Sequence, residues 1–393
     1  MSAKFPTAKL TDIAELNPTL GKKLPAEELV SFVPMASLSA ESASVETTQD
    51  RPYAEVAKGF TPFLDGDVLV AKITPCFENG KIAQARLQRS HGFGSTEFHV
   101  VRARPGIAES RYLHHYLRLE EVRANGQRRM TGSGGQRRVP ASFLADLAIP
   151  LPPLEEQRRI AAILDQAETL RTQRRTALAL LDSLTQSLFL DMFGDLATNP
   201  QSFQTKSLCE VATFYGGNSL PSGLEFTNQV GGYFLMKVSD MNLPGNEREI
   251  LQCQSWSDVA GSKASTCPVG SIVVPKRGGA IGTNKKRITT RPTVLDPNLM
   301  AICPNPDQLN QEFLFQWFLG FDLASIASGS SVPQLNKQDL APLTMLVPPL
   351  PLQQTFATRI ASIEALKATH RRALAALDAL FASLQQRAFA GQL

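Results

Sequence analysis

The stretch from Leu151 to Gly194 reads LPPLEEQRRIAAILDQAETLRTQRRTALALLDSLTQSLFLDMFG. Pro152 and Pro153 have no place inside a helix but suit the residues just before one. Glu155 and Glu156 follow, where a helix N-terminus favours negative charge. No proline or glycine then occurs before Gly194, which supplies a stop. Ile160, Ile163, Ala167, Leu170, Arg174, Ala177, Leu181, Leu184 and Leu188 recur in steps of three and four, a heptad seam with one charged interruption at Arg174. The spacing predicts one helix of about forty residues, a rod of roughly 60 Å.

The stretch returns at Val347 to Leu393, VPPLPLQQTFATRIASIEALKATHRRALAALDALFASLQQRAFAGQL. At a constant offset of 196 residues, Pro152-Pro153 matches Pro348-Pro349, Gln157 matches Gln353, Leu170 matches Leu366, Leu181 matches Leu377, Asp182 matches Asp378 and Phe193 matches Phe389. Ile163 falls opposite Arg359, but the next pair, Leu164 and Ile360, is apolar in both copies. The polar break recurs as His370 opposite Arg174; the two either fix the register of a helix pair or face solvent. An ungapped repeat of this length indicates an internal duplication. It predicts a second seam through Phe356, Ile363, Leu366, Leu377, Leu380 and Leu384.

The chain of 393 residues, 43% of them hydrophobic, has room for two to three domains. No apolar run is long enough to cross a bilayer, and the opening MSAKFPTAKLTDIAEL lacks the apolar stretch of a signal peptide, so a cytoplasmic protein without membrane contact is expected. Cys76, Cys209, Cys253, Cys267 and Cys303 are scattered without a CxxC pair, which argues against a disulfide scaffold or a zinc site. A net charge of +4 permits an anionic partner without requiring one.

Residues 1–150 mix short β-type runs at 30–35, 67–73, 81–85 and 97–102 with a helical stripe at 112–122, a compact α+β pattern without regular βαβ units. Residues 195–205 have linker composition. Residues 206–346 echo the first block at landmarks only: GSIVVPKRGG at 270–279 resembles GDVLVAKITP at 66–75, with Lys276 where Lys72 stands, and ASGSSVPQ at 327–334 resembles MTGSGGQ at 130–136. Two similar helices suit similar partners; two globular blocks with different content suit different ligands.

In PLPPLEEQRRIAAIL at 150–164, its echo at 348–363, and the tails TGSGGQRRVPASFLADLAIPLPP and SGSSVPQLNKQDLAPLTMLVPP before each helix, the chain resembles the specificity subunit of a type I restriction–modification enzyme. The resemblance implies target recognition domain 1 at 1–150, a central long helix at 151–194, a linker and target recognition domain 2 at 195–346, and a distal long helix at 347–393. It implies an α+β fold in which two globular domains are joined by two long antiparallel coiled-coil helices with pseudo-two-fold symmetry. Each domain would read one half of a bipartite site in double-stranded DNA. Two modification subunits would dock on the helices, and restriction subunits would add the nuclease. AdoMet, ATP and Mg would sit on those partners, none on this chain. The distal helix begins with less charge (PLQQTF against EEQRRI), so its docking surface need not equal the first.

Candidate DNA contacts follow from charge beside glycine, since glycine lets backbone approach phosphate and arginine contacts phosphate or guanine. In the first block these are Lys72, Thr74, Asn79 and Lys81 after a strand, and Arg128, Arg129, Gln136, Arg137 and Arg138 around TGSGG. In the second they are Lys276, Arg277, Asn284, Lys285, Lys286 and Arg287, the densest basic segment, with Gln334 and Asn336. The alternative for each is an ordinary charged surface. Tyr53, Phe77, Tyr215 and Trp256 could stack on DNA, though such aromatics more often lie in a core. No catalytic or metal-binding pattern occurs: there is no GxxxxGK[ST] loop, no acidic-Pro-Pro-aromatic tetrad, and His91, His99, His114, His115 and His370 form no triad or ligand spacing. The competing reading is a coiled-coil assembly scaffold without sequence-specific DNA binding.

Overall fold

The computed structural model describes residues 5–21, 23–45, 49–133, 135–195, 198–329 and 332–393. The chain packs as two compact units, residues 1–177 with 370–393, and residues 178–369.

The first unit holds two four-stranded sheets. One runs Ala14–Leu16, Phe98–Ala103, Val68–Ala71, Ile82–Gln84, antiparallel throughout. The other runs Gln49–Pro52, Leu29–Val33, His91–Gly94, Thr61–Leu64, with its central pair parallel. Val68–Ala71 is buried at every position because apolar layers cover both of its faces. Strand alternation sends Val68 and Val70 into one core with Tyr112, Leu113 and Leu164, and Leu69 into another with Val33, Phe63 and Phe98. The helical stripe expected over 112–122 is two helices, α1 (Ser110–Leu117) and α2 (Glu120–Arg128). Glu120 and Glu121 give the second its own acidic first turn, where the helix dipole favours it.

The second unit repeats the plan with two five-stranded sheets. Ile272–Pro275, like Thr293–Leu295, is buried at every position. Ile272 and Val274 join a core with Phe313 and Trp317, while Val273 joins one with Phe234 and Leu299. The runs VLVA and IVVP therefore do the same work in both units. An antiparallel strand pair precedes each long helix: Thr7–Lys9 with Ala148–Pro150, and Gln204–Ser207 with Thr344–Val347.

The long helices are α3 (Leu154–Phe193) and, after the shorter α4 (Gln311–Leu319), α5 (Leu350–Phe389). Each contributes to both units. In the first unit the N-terminal part of α3 lies against the C-terminal part of α5, and Tyr112 and Tyr116 of α1 sit 5.2 and 5.1 Å from the Phe389 ring. In the second unit the ends are exchanged. Phe189 and Phe193 of α3, Phe313 of α4 and Phe356 of α5 form one aromatic cluster with centroids 4.7–5.6 Å apart. The pairing is antiparallel in each unit.

The seam is not the one the heptads suggest. Ile160, Phe356 and Ile363 are buried, Leu181, Leu188 and Leu384 pack partly buried against the cores, and Ile163 and Leu377 are half-buried. Leu170, Leu184, Leu366 and Leu380 instead face outward, 40%, 48%, 53% and 49% exposed. The inward seats belong to their C-terminal neighbours Arg171, Thr185, Lys367 and Phe381. Those polar seats are tolerated because they are paired. Arg171 Nε lies 2.6 Å from Asp378 and Nη1 3.7 Å from Glu168 in the first unit. Lys367 Nζ lies 2.8 Å from Asp182 and 2.9 Å from Glu364 in the second. Glu168, Arg171 and Asp182 are the offset counterparts of Glu364, Lys367 and Asp378, so one triad is built twice. Arg174 and His370 face each other, with Arg174 Nη1 donating to His370 Nδ1 at 3.3 Å, so the polar break lies within the pairing.

The joint between globular part and helix is also built twice. Gln157 is fully buried; its Oε1 accepts from Glu109 N at 2.9 Å, and its Nε2 donates to Ile107 O at 3.0 Å and Pro152 O at 2.9 Å. Gln353 accepts from Asn310 N at 2.8 Å and donates to Gln308 O at 3.0 Å and Pro348 O at 2.7 Å. Charged clamps in the first unit add to this. Burial alone would raise the Asp165 carboxyl, but hydrogen bonds from His115 and Arg111 outweigh it and hold the group at about 2. Arg118 Nη1 binds Glu168 at 2.7 Å.

Candidate nucleic-acid interface

In the first unit the chain leaving Val68–Ala71 is stitched to the hairpin after Met130. Lys72 N donates to Glu97 O at 2.8 Å, Val139 N donates to Lys72 O at 2.9 Å, and Thr74 N donates to Arg137 O at 2.9 Å. Thr131 and Arg138 pair across the hairpin, and Ile73 bridges Arg138 from the strand side. Two groups of candidates separated in sequence, Lys72 with Thr74 and Gln136 with Arg137 and Arg138, thereby share one surface. Gly132 is required here: its φ is +131°, and a Cβ would come within 2.5 Å of Gln136 O. Gly134 of the TGSGG loop lies outside the described residues.

The second unit builds the same join. Lys276 N donates to Asn298 O at 2.7 Å, Leu335 N to Lys276 O at 2.9 Å, and Gly278 N to Pro333 O at 2.9 Å. Ser328 pairs with Gln334, and Arg277 bridges Gln334. Gly329, φ +99°, would place a Cβ 2.7 Å from Val332 O. Ser330 and Ser331 of this hairpin lie outside the described residues.

The side chains divide sharply. Asn79, Arg129, Gln136, Arg137, Arg277 and Gln334 are exposed, and Lys72, Thr74 and Lys276 are half-buried at the rim. Several candidates, Thr74 among them, are engaged inside their unit. Lys81 Nζ donates to Met35 O at 3.2 Å, Thr74 Oγ1 to Glu78 at 2.8 Å, and Arg128 to Asn125 at 2.5 Å. Arg138 forms a two-pronged pair with Glu97, 2.8 and 2.9 Å, which holds that carboxyl below its usual range. Lys285 binds Asn242, and Asn336 caps the short helix Lys337–Leu340 with Asp339.

Lys286 departs from the expectation that the basic segment contacts DNA throughout, and Arg287 is engaged within the fold. Lys286 is 2% exposed, its Nζ donating to Phe321 O at 2.6 Å and Asn284 Oδ1 at 2.8 Å. Asn284 stands at φ 54°, in the left-handed region asparagine tolerates, and also accepts from Leu323 N at 2.9 Å. Arg287 donates to Lys286 O at 2.8 Å and Met241 O at 3.3 Å. Lys286 pins the loop from inside and is not presented to a ligand, while Arg287 is half-buried and holds the same loop through main-chain carbonyls. Burial pushes the Lys286 amine down to about 8 from its ordinary 10.5. The charged form is therefore disfavoured in the folded state, and the second unit is expected to gain stability as pH rises from about 8 towards 10.5. Denaturant titrations across that range should show the rise in the parent and lose it in Lys286→Met. Among the aromatics, Phe77 is core, Tyr53 packs on Phe93, and Trp256 Nε1 donates to Gly231 O at 2.8 Å.

Sequence reasoning passed over Gln157 and Gln353 as functional residues. Their signal was a polar residue at the same register in both copies, within an otherwise apolar helix start.

Comparison with known proteins follows the duplication. The profile of the type I restriction modification DNA specificity domain matches residues 4–179 and again 200–378. The chain belongs to this family. It is similar to the specificity subunits of the type I restriction enzymes EcoAI and EcoEI of Escherichia coli. Identity to EcoAI is 37% over 184 residues, 46% of this chain and 31% of that protein; to EcoEI it is 35% over 206 residues, 51% and 33%. The matched region thus spans about a third of the length of these curated relatives. The structure of a type I restriction–modification S subunit from M. genitalium superposes with TM-score 0.61 at 14% identity, covering 99% of this chain and 96% of that one, a likeness of fold. Each match of the family profile takes in one frame of the kind described above, with its Gly-containing hairpin and the start of a long helix.

Proposed function

We propose that this type I specificity-family chain is the DNA-recognition subunit of a restriction–modification complex, without catalytic activity of its own. Each globular domain reads one half of a bipartite duplex site, and the helices set the spacing. The observation that carries this reading is the doubled frame: one backbone scaffold, stitched by the same hydrogen bonds, presents different side chains in each unit. A structure that conserves a scaffold and varies what it displays suits two different ligands of one chemical class. The rim cations supply the sequence-independent attraction to phosphate that such binding needs.

The helices are the docking surface for two modification subunits. The outward leucines Leu170 and Leu366, and Leu184 and Leu380, are offset counterparts, so each copy of the repeat displays the same apolar pair. Two like patches suit two copies of one partner. The modification subunits carry AdoMet and the adenine methylation, restriction subunits carry ATP, Mg and the nuclease, and the assembly works in the cytoplasm. The scaffold reading has no observation of its own in its favour.

Mapping methylated adenine in the host genome tests the proposal. Deleting this chain is expected to abolish methylation at one split motif; unchanged methylation in a strain whose modification subunits are expressed would refute it. Replacing residues 206–346 with the second domain of another family member is expected to alter one half of the motif and leave the other intact. Changes in both halves would rule out separate reading by the two domains.

A further inference from the structure

The duplication also separates two kinds of contact. Resting on the DNA-recognition reading, we propose that Lys72 and Lys276 are an equivalent pair of phosphate clamps, while Arg137 and Arg277 carry base discrimination, one in each domain. Two domains with different targets share only what is indifferent to base sequence; what differs between them at one place on a common frame is free to discriminate.

Lys72 and Lys276 meet the first condition. Each directly follows a fully buried strand of its unit, and its main-chain N–H and C=O are both fixed by counterpart bonds, to Glu97 O and from Val139 N in one, to Asn298 O and from Leu335 N in the other. The side chains therefore leave identical frames. Among the described residues, neither ammonium makes a hydrogen bond or ion pair; the Glu97 carboxylate near Lys72 is taken by Arg138. Lysine is a hydrated point charge that suits phosphate without demanding a particular geometry.

The arginines meet the second. The bond from Thr74 N to Arg137 O has its counterpart in the bond from Gly278 N to Pro333 O, so the second domain has proline where the first has Arg137. The bridge of Ile73 to Arg138 has its counterpart in that of Arg277 to Gln334, so the first domain has isoleucine where the second has Arg277. Each frame thus displays one unpartnered arginine, from opposite strands of the same join, since Arg138 is held by Glu97. Both are exposed, and neither side chain has a partner among the described residues. A planar guanidinium free of internal partners matches the O6 and N7 acceptors of guanine in the major groove. Arg129 is also free, but it follows α2 rather than lying on the join.

The test uses the full-length chain in two measurements. Binding to a fluorescent duplex of random sequence is followed over a salt series. The recognised motif is read from methylated adenines in cells expressing each variant with the modification subunits. Lys72→Gln and Lys276→Gln, which keep most of the aliphatic stem, are each expected to flatten the slope of log affinity against log salt by about 0.9 and leave the motif unchanged. Lys72→Arg is expected to restore the slope. Arg137→Gln and Arg277→Gln are each expected to relax one position in one half-site, by roughly fivefold or more. An unchanged slope in a lysine variant that melts like the parent, a motif changed by either lysine variant, or a motif unchanged by both arginine variants overturns the assignment. Failure of the underlying reading looks different: the unmodified chain would then show no salt-dependent binding and direct no methylated motif.

Discussion

Replacing Phe356 with alanine is expected to destabilise the second unit by about 3–5 kcal/mol, the cost of emptying a large buried aromatic seat. Phe356 has no exposed surface and meets Phe189 and Phe193 edge to face, at 5.6 and 5.2 Å. Phe193 in turn meets Phe313 at 4.7 Å, so one ring anchors the end of α3, the start of α5 and helix α4 together. Collapse into the space is resisted because each neighbour is itself fixed by a further ring. The counterpart position in the repeat is the aliphatic Ile160, and every ring that meets Phe356 lies in the second unit, so the effect should be confined to one unit. Hydrogen exchange is the suitable measurement, because a chain of two units need not unfold in one step. Protection should fall across residues 311–319 and 350–360 and persist in α1. Equal loss in α1 would mean that the two units do not hold their structure separately.

Gln157→Leu and Gln353→Leu are expected to cost about 1–3 kcal/mol each, since every substitution leaves one buried proline carbonyl unpaired and removes two further part-buried bonds, and a buried group left unpaired costs about 1–3 kcal/mol. Leucine fills much of the volume, so the loss measures hydrogen bonding rather than a cavity. The readout is local: the amide of Glu109 should lose exchange protection in Gln157→Leu and keep it in Gln353→Leu, with the converse at Asn310. If neither amide responds, the glutamines do not seat the domains.

Much of this architecture is legible in the residues, and the failures have physical causes. Both long helices follow from the repeat, their antiparallel pairing is what the family resemblance implies, and the buried strands VLVA and IVVP read as strands because apolar runs between turn residues leave few alternatives. The phase of the seam does not follow from hydrophobicity. Leu170 and Leu184 are as apolar as any core residue, yet Arg171 and Thr185 take the inward seats, because Asp378, Glu168 and Lys367 are there to pair with them. Pairing across a helix dimer leaves no trace in one helix's pattern. One clue was present: Leu164 and Ile360 are apolar in both copies where Ile163 faces Arg359, and they are the buried pair. At the candidate interface, charge and glycine marked segments that the fold brings together, since both hairpins and both strand ends meet there. Which cations point outward was not legible. Lys286 and its neighbour Lys285 look alike in sequence, and only the fold turns one towards Phe321 O.

The glutamine joint has a consequence for how the globular parts of this chain can change. All six of its bonds go to main-chain atoms, at Glu109, Ile107 and Pro152 on one side and Asn310, Gln308 and Pro348 on the other. Such a fitting recognises the shape of a loop and is blind to its side chains. A foreign domain that ends in the same loop can make these bonds whatever side chains it carries, leaving only the side-chain clamps on Asp165, Glu168 and Phe389 to be matched. The seam is the opposite: the Arg171–Asp378 and Lys367–Asp182 pairs each need two coordinated changes. Evolution acting on this chain therefore finds replacement of a whole domain easier than revision of the helices that carry it.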